Sequence, residues 1–160
     1  MPITPFHFGL GAALHGAAPR HLSFLAFCAA NVLIDVESAW NLLRGHHPVH
    51  AFFHSYLGAT LAGLLTAGLG WLGRRWRQRR GSVKRPPGQA RAVTVGALLG
   101  AGSHVMLDSV MHADIRPLAP FSEANGLYGL LPLPELHLLL VGLGVLGGLA
   151  VWLRRLHAGE

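Results

Sequence analysis

Long apolar runs dominate this chain and constrain its fold more than any other feature. They cover residues 5–18, 22–40, 51–73, 92–111 and 136–153. A membrane-spanning helix needs about 20 apolar residues, so the last four runs are long enough to span and the first is short. The chain is 51% hydrophobic and only 12% charged, which is unusual for a soluble domain. We therefore expect an all-α, polytopic transmembrane bundle of four to five helices that forms a single domain.

The N-terminal residues, Pro19 and the single cysteine add three expectations about the chain. The first residues lack the charged region and the small-residue cleavage site of a secretory signal, so we expect the N-terminus to be retained. Pro19 separates the first two runs and favours a hairpin between them, with the first run either tilted or re-entrant. Because Cys28 is the only cysteine, an intrachain disulfide and a thiolate zinc site are both excluded.

The basic residues indicate how the bundle is oriented. Most of the thirteen Lys and Arg residues lie in residues 74–91, and Arg154 and Arg155 lie near the C-terminus. Loops rich in Lys and Arg stay in the cytoplasm, so we expect the 74–91 loop and the C-terminus there. Only Arg44 and Arg116 are then outside, where residues 112–135 form a loop. Nucleic-acid binding is not favoured, because no groove-entering or aromatic-interleaved element accompanies the basic run.

Histidines and acids lie inside or beside the apolar runs. A central Asp costs about 2.5–3.5 kcal/mol on membrane-insertion scales, so such residues usually mark a site with partners. The orientation above brings them all to the outer end of the bundle. They are His7, Asp35, Glu37, His50, His54, His104, Asp108 and His112.

The spacing of these residues favours metal coordination. His50 and His54 are four residues apart, as are His104 and Asp108, so each pair would share one helix face. Nitrogen and oxygen ligands without thiolates suit Zn²⁺, Mn²⁺ or Fe²⁺, with zinc the leading expectation. More than four candidates allow one or two ions. The predicted metal ligands are His7, Asp35, His50, His54, His104, Asp108 and His112.

Two acids and one arginine are candidates for other roles. Asp35 and Glu37 would point to different sides of a regular helix, so Asp35 is the safer ligand. Either is a candidate catalytic proton acceptor when it is not a ligand. Arg116 in the outer loop could bind a phosphate or carboxylate of a substrate through its planar guanidinium. A surface arginine that meets lipid headgroups is the alternative.

Three motifs also carry a family resemblance. They are His50-x-x-x-His54-Ser55, Ser103-His104-x-x-x-Asp108 and the upstream Asp35-x-Glu37. Together they resemble the bacterial inner-membrane family of membrane-bound metal-dependent hydrolases, which shows H-x-x-x-H-S and S-H-x-x-L-D motifs after a D-x-D pair. The resemblance extends from Pro5-Phe6-His7 to the Pro120-Phe121-Ser122 loop. It implies metal-assisted hydrolysis of an ester or phosphoester in the bacterial inner membrane. Glu37 departs from the pattern, because it replaces the usual second Asp.

The leading hypothesis is thus a metal-dependent membrane hydrolase with its site at the outer face. A lipid-derived ester or phosphoester is the expected substrate, because the site lies at headgroup depth. Two alternatives stay open. One is a metal-binding transporter, although the inner halves of the runs offer little polarity beyond Thr60, Thr66 and Thr94. The other is a structural membrane protein without turnover.

Overall fold

The computed structural model describes residues 4–81 and 88–159 and contains five α-helices within them. They are α1 (Thr4–Ala17), α2 (Phe24–Arg44), α3 (Tyr56–Arg79), α4 (Gln89–Met111) and α5 (Leu133–Ala158). A short 3-10 turn, Phe52–His54, precedes α3. No strand occurs in the described ranges. The expected all-α helical bundle is therefore confirmed, and part of the basic loop, residues 82–87, lies outside the described residues.

Three of these helices, α3, α4 and α5, are long and apolar enough to cross a membrane. We expected α2 to be a fourth. It is 21 residues long, but its second half includes Asp35, Glu37 and Asn41, and it does not meet the same criterion in the described chain. The acids that mark the candidate site thus lie in the long helix that does not meet this criterion.

The start of α3 differs from the expected position near residue 51. The Ser55 side chain accepts a hydrogen bond from the Gly58 backbone N–H at 3.0 Å, which is an N-cap that begins the helix at Tyr56. His54 ends the 3-10 turn and His50 precedes that turn. The prediction that these two histidines share one helix face is therefore wrong.

Glu37 holds the 3-10 turn in place. Its carboxylate accepts hydrogen bonds from the backbone N–H groups of Phe52 at 3.2 Å and Phe53 at 2.6 Å. Asp35, two residues earlier on the regular helix α2, points elsewhere, as the helical spacing predicted. The turn then carries His54 toward α2 and α4.

Close helix packing relies on glycines. Helix α4 lies between α2 and α3, while α1 packs mainly on α5. A Cβ at Gly96 or Gly100 would overlap the backbone of α2, and one at Gly147 would overlap the backbone of α1 at Ala12. Gly148 lies four residues after Gly144, a spacing typical of close helix contacts in membranes, but it faces open space. The close approach of α5 to α1 is centred on Gly147 instead.

The two ends of the bundle differ in chemistry. At one end, the Ser23 backbone N–H donates to the Ala92 carbonyl at 2.9 Å, and Arg154 donates to the Ala17 carbonyl at 3.3 Å. We call this the basic end, because the arginines of α3 and α5 lie there. The histidines and acids that we predicted as ligands lie at the opposite end, which we call the His/Asp end.

Candidate metal centre

Four buried side chains from three elements meet at the His/Asp end. Helix α2 contributes Asp35, the 3-10 turn contributes His54, and α4 contributes His104 and Asp108 one turn apart. One potential ligand atom from each lies within 4.8 Å of all the others. We call these residues the four-residue cluster. All four are among the predicted metal ligands.

The separations within this cluster match metal coordination. Nε2 of His104 lies 3.3 Å from Asp35 Oδ1 and 3.3 Å from Asp108 Oδ2. Nε2 of His54 lies 3.8 Å and 3.4 Å from the same two oxygens. Bonds of about 2.0–2.2 Å in a tetrahedron place ligand atoms roughly 3.3–3.6 Å apart. The two Nε2 atoms and Asp108 Oδ2, which lie 3.3–3.4 Å from one another, therefore match three positions around one tetrahedral ion of zinc-like size.

The other ring nitrogen of each histidine is held by a neutral polar side chain. Nδ1 of His104 donates to Asn31 Oδ1 at 3.0 Å, and Nδ1 of His54 lies 3.4 Å from Ser38 Oγ. The Asn31 amide is itself oriented, because its NH₂ donates to the carbonyls of Phe27 and Gly100. Metal-binding histidines usually have such a partner on the nitrogen that does not bind the ion.

The electrostatics of this arrangement call for a cation. The Nε2 atoms of His54 and His104 are 3.3 Å apart. Because Nδ1 of His104 is the donor to Asn31, Nε2 of the neutral ring carries a lone pair that faces the cluster. Two carboxylates face the same point. Burying these groups together is favourable only with positive charge beside the two carboxylates, which a divalent ion or protonated histidine rings would supply.

His7 contacts the cluster without being part of it. Its Nε2 lies 3.0 Å from Asp108 Oδ1, and its ring stacks on His104 with centroids 4.6 Å apart. The side chain is almost fully buried. The structure thus places His7 where it positions Asp108 from the side of α1.

A second group of potential ligands shares Asp108. It joins His50, Asp108 and His112. Nδ1 of His50 lies 2.9 Å from Asp114 Oδ1, and its buried Nε2 has no hydrogen-bond partner within the described ranges. This leaves Nε2 of His50 available to bind an ion. Since one carboxylate can serve two ions, Asp108 is placed to bridge two sites.

His112, a member of this second group, and Asp114, which contacts His50, both have shifted pKa values. Partial burial would raise the pKa of the Asp114 carboxyl, but the hydrogen bonds from His50 outweigh burial and lower that pKa. Burial lowers the pKa of His112, and nearby His50 lowers it further. Asp114 is then ionised and His112 neutral near pH 7, which is the state in which an imidazole binds metal.

The remaining predicted site residues lie outside both groups. The Glu37 carboxylate is bonded to the backbone of the 3-10 turn, so it positions His54. The Arg116 guanidinium forms an exposed ion pair with Glu123 at 2.7 Å. Neither side chain is among the potential ligands of the two groups.

Sequence reasoning gave no role to three residues of the site, Asn31, Ser38 and Asp114. Asn31, Asp35 and Ser38 follow each other at intervals of four and three, which is one face of α2. This spacing was the signal that could have identified Asn31 and Ser38. Asp114 lies in an irregular loop, where no periodicity relates it to His50.

Comparison with known proteins gives one match. The family model described as YdjM inner membrane protein covers residues 1–158. The comparisons with curated proteins and with solved structures returned no match. Three apolar helices of spanning length accord with the family's description as an inner membrane protein. Because the match covers nearly the whole chain, the chain belongs to the YdjM inner membrane protein family.

Proposed function

We propose that this protein is a metal-dependent hydrolase that cleaves an ester or phosphoester, with a lipid-derived molecule as substrate. The observation that carries the proposal is the four-residue cluster, in which His54, His104 and Asp108 are spaced for three positions around one tetrahedral ion and Asp35 lies beside them. Mixed nitrogen and oxygen ligands are typical of catalytic zinc sites, which keep a position for water. Zn²⁺ is the leading candidate, with Mn²⁺ and Fe²⁺ as alternatives.

The cluster residues divide into anchors and a proton acceptor. His54, His104 and Asp108 are the anchors, since the side chain of Asp108 is only 1% exposed. Asp35 is the more accessible acid, with 11% of its side chain exposed. A divalent ion held there would lower the pKa of a coordinated water toward about 7.

Asp35 then performs the proton transfers. It accepts a proton from the attacking water, whose oxygen forms the new bond to the carbonyl carbon or phosphorus. The ester bond breaks, and the same proton passes from Asp35 to the leaving oxygen. Glu37 acts at a distance by holding the turn that carries His54.

The surroundings of the cluster favour a substrate from the membrane. The His/Asp end carries large apolar side chains that face outward, including Phe121 at 88% exposure and Leu130 at 66%. Exposed apolar groups beside a membrane helix are stable where lipid covers them. A substrate with an acyl chain would reach the site from that surface. We assign this end to the outer side of the inner membrane, because the basic loop favours the cytoplasm.

A permeation route is the less favoured function. Toward the basic end, the four-residue cluster is followed by the fully buried apolar residues Ala30, Ala97 and Ala101. Thr66 is buried in the same direction, but its hydroxyl donates to the Ala62 carbonyl. In the described part of the chain, no line of polar side chains therefore continues through the bundle, as ion passage would require.

Turnover by the purified full-length protein tests this proposal. In detergent and with Zn²⁺ or Mn²⁺ added, it should hydrolyse at least one member of a panel of phospholipids, lipid pyrophosphates and carboxylic esters. Chelation should abolish turnover, and added metal should restore it. Asp108→Asn should lower the rate by more than about 100-fold, because the amide cannot supply the ligand charge.

Glu123→Gln is the matched control, since Glu123 is an exposed acid of the outer loop. It should retain the rate of the unmodified protein. Turnover that survives both chelation and Asp108→Asn would overturn the proposal, as would a metal-replete protein that is inert across the panel.

A further inference from the structure

The basic end contains a large cavity that plays no part in the proposed reaction. It lies between α2, α3 and α4 and has a volume of about 760 Å³. Leu25, Leu33 and Leu69 form part of its wall, while Arg74 and Arg77 lie near the C-terminal end of α3. Small-molecule and lipid sites are commonly about 300–1,000 Å³ in volume.

A second cavity adjoins the first at Arg74. Its volume is about 680 Å³, and it shares Ser23, Leu25, Arg74 and Gln89 with the first. It adds Arg20 from the connection between α1 and α2. Three arginines thus surround a mostly apolar space.

These arginines have no anionic partner in the protein as described. Within residues 4–81 and 88–159, no carboxylate forms an ion pair with Arg20, Arg74 or Arg77. Neighbouring Arg75 and Arg80 differ, because each stacks on a tryptophan ring. All described carboxylates belong to the His/Asp end: Asp35, Glu37, Asp108, Asp114, Glu123 and Glu135. No carboxylate of the described residues is therefore placed to neutralise these arginines.

The cavity is separate from the four-residue cluster. Gln89 at its mouth and His104 in the cluster are fifteen residues apart on α4, which is about 22 Å at 1.5 Å per residue. A ligand phosphate at Arg74 would therefore lie near the opposite membrane surface from the proposed catalytic site.

We infer that this cavity binds one anionic phospholipid from the leaflet at the basic end. Its phosphate contacts Arg74 and Arg77, and an acyl chain lies along Leu25, Leu33 and Leu69. Basic pockets between membrane helices on the cytoplasmic side recognise anionic headgroups through the same chemistry. This inference does not depend on the proposed hydrolysis.

The open side of the cavity favours a lipid over a soluble phosphate. Leu25 is 77% exposed and Leu69 is 57% exposed, so an acyl chain can enter sideways from the bilayer. Trp76 also lines the cavity beside the arginines, and tryptophan is enriched at headgroup depth. A soluble phosphate would contact the arginines and leave the apolar wall uncovered.

Native mass spectrometry of the purified full-length protein in detergent tests this inference. Phosphatidylglycerol and phosphatidylcholine with the same acyl chains are titrated separately. The protein should bind one phosphatidylglycerol more tightly than phosphatidylcholine. Arg74→Gln with Arg77→Gln should weaken that binding by about 30-fold. Arg154→Gln with Arg155→Gln removes equal charge at the same end and should leave it unchanged.

A second pair of variants tests the apolar wall without altering charge. Gly73 lines the cavity, and a Cβ there would meet no atom within 4 Å, so Gly73→Leu fills the space without a clash. It should weaken phosphatidylglycerol binding. Gly68 also faces open space but lies outside the cavity, so Gly68→Leu should bind as the unmodified protein does. Equal binding of both lipids overturns the inference. The inference is also overturned if inorganic phosphate alone displaces phosphatidylglycerol. Unchanged phosphatidylglycerol binding in both Gly73→Leu and the Arg74→Gln, Arg77→Gln variant would overturn it as well.

Discussion

Each histidine of the four-residue cluster is positioned through the ring nitrogen that faces away from it. Asn31 accepts from His104 at 3.0 Å, and Ser38 lies 3.4 Å from His54. These contacts fix the ring orientation without an ion, which would reduce the conformational entropy lost when an ion binds. Residues that never touch the metal should therefore affect its affinity.

Asn31 provides the clearest test at this scale. Asn31→Leu removes the acceptor for His104 and should lower the affinity for Zn²⁺ by about 10–100-fold. Asn31→Asp restores an acceptor oxygen and should recover binding. The measurement is competition for the metal with a chelator of known affinity. Ser109→Ala is the control, because the Ser109 hydroxyl donates only to the Val105 carbonyl. An Asn31→Leu variant with unaltered affinity would show that the ring needs no such support.

The sequence identified the potential ligands better than the residues that hydrogen-bond to them. Asp35, His54, His104 and Asp108 are conspicuous, because ionisable residues in apolar runs have few other uses. Asn31 and Ser38 are neutral and often hydrogen-bond to their own helix backbone, so their presence on α2 is ambiguous. The contact of Glu37 with the 3-10 turn and the position of Arg116 depend on loop geometry, which no helical period encodes.

The existence and order of the helices could also be predicted, but their ends could not. Hydrophobic run length identifies a helix, whereas caps decide where it starts. Ser55 begins α3 five residues later than the apolar run suggests. That shift places His50 and His54 in irregular backbone, and it divides them between the two groups of potential ligands.

The contact between α1 and α5 yields a prediction at the scale of elements. Gly147→Leu would overlap the backbone at Ala12, so it should force α5 away from α1 and destabilise the protein by at least about 1–3 kcal/mol. Gly148→Leu adds the same side chain where nothing lies within 4 Å. Thermal unfolding in detergent compares the two. Equal melting temperatures would contradict this close helix contact.

At the scale of the whole molecule, the main feature is that basic and acidic residues lie at opposite ends of the bundle. Most arginines lie at the basic end, while the described acids and most histidines lie at the His/Asp end. The connectivity of five helices is what brings residues from α1, α2 and α4 together at one end. The positive-inside rule then predicts which end faces the cytoplasm.

Labelling of introduced cysteines measures that orientation. In a Cys28→Ala background, a cysteine at Ser82, outside the described residues, should resist a membrane-impermeant thiol reagent in intact cells. A cysteine at Ala124, which is exposed in the loop before α5, should react. The opposite pattern would place the metal centre on the cytoplasmic side and would exclude an outer-face substrate.

Metal content tests the central claim most directly. Elemental analysis of the purified protein, after equilibration with a competing chelator, should find at least about one divalent ion per chain, with zinc favoured. His104→Ala and Asp108→Asn should lose that ion, whereas His157→Ala should keep it, because His157 is exposed at the basic end. A metal-free protein after reconstitution, or full occupancy in both cluster variants, would contradict the account.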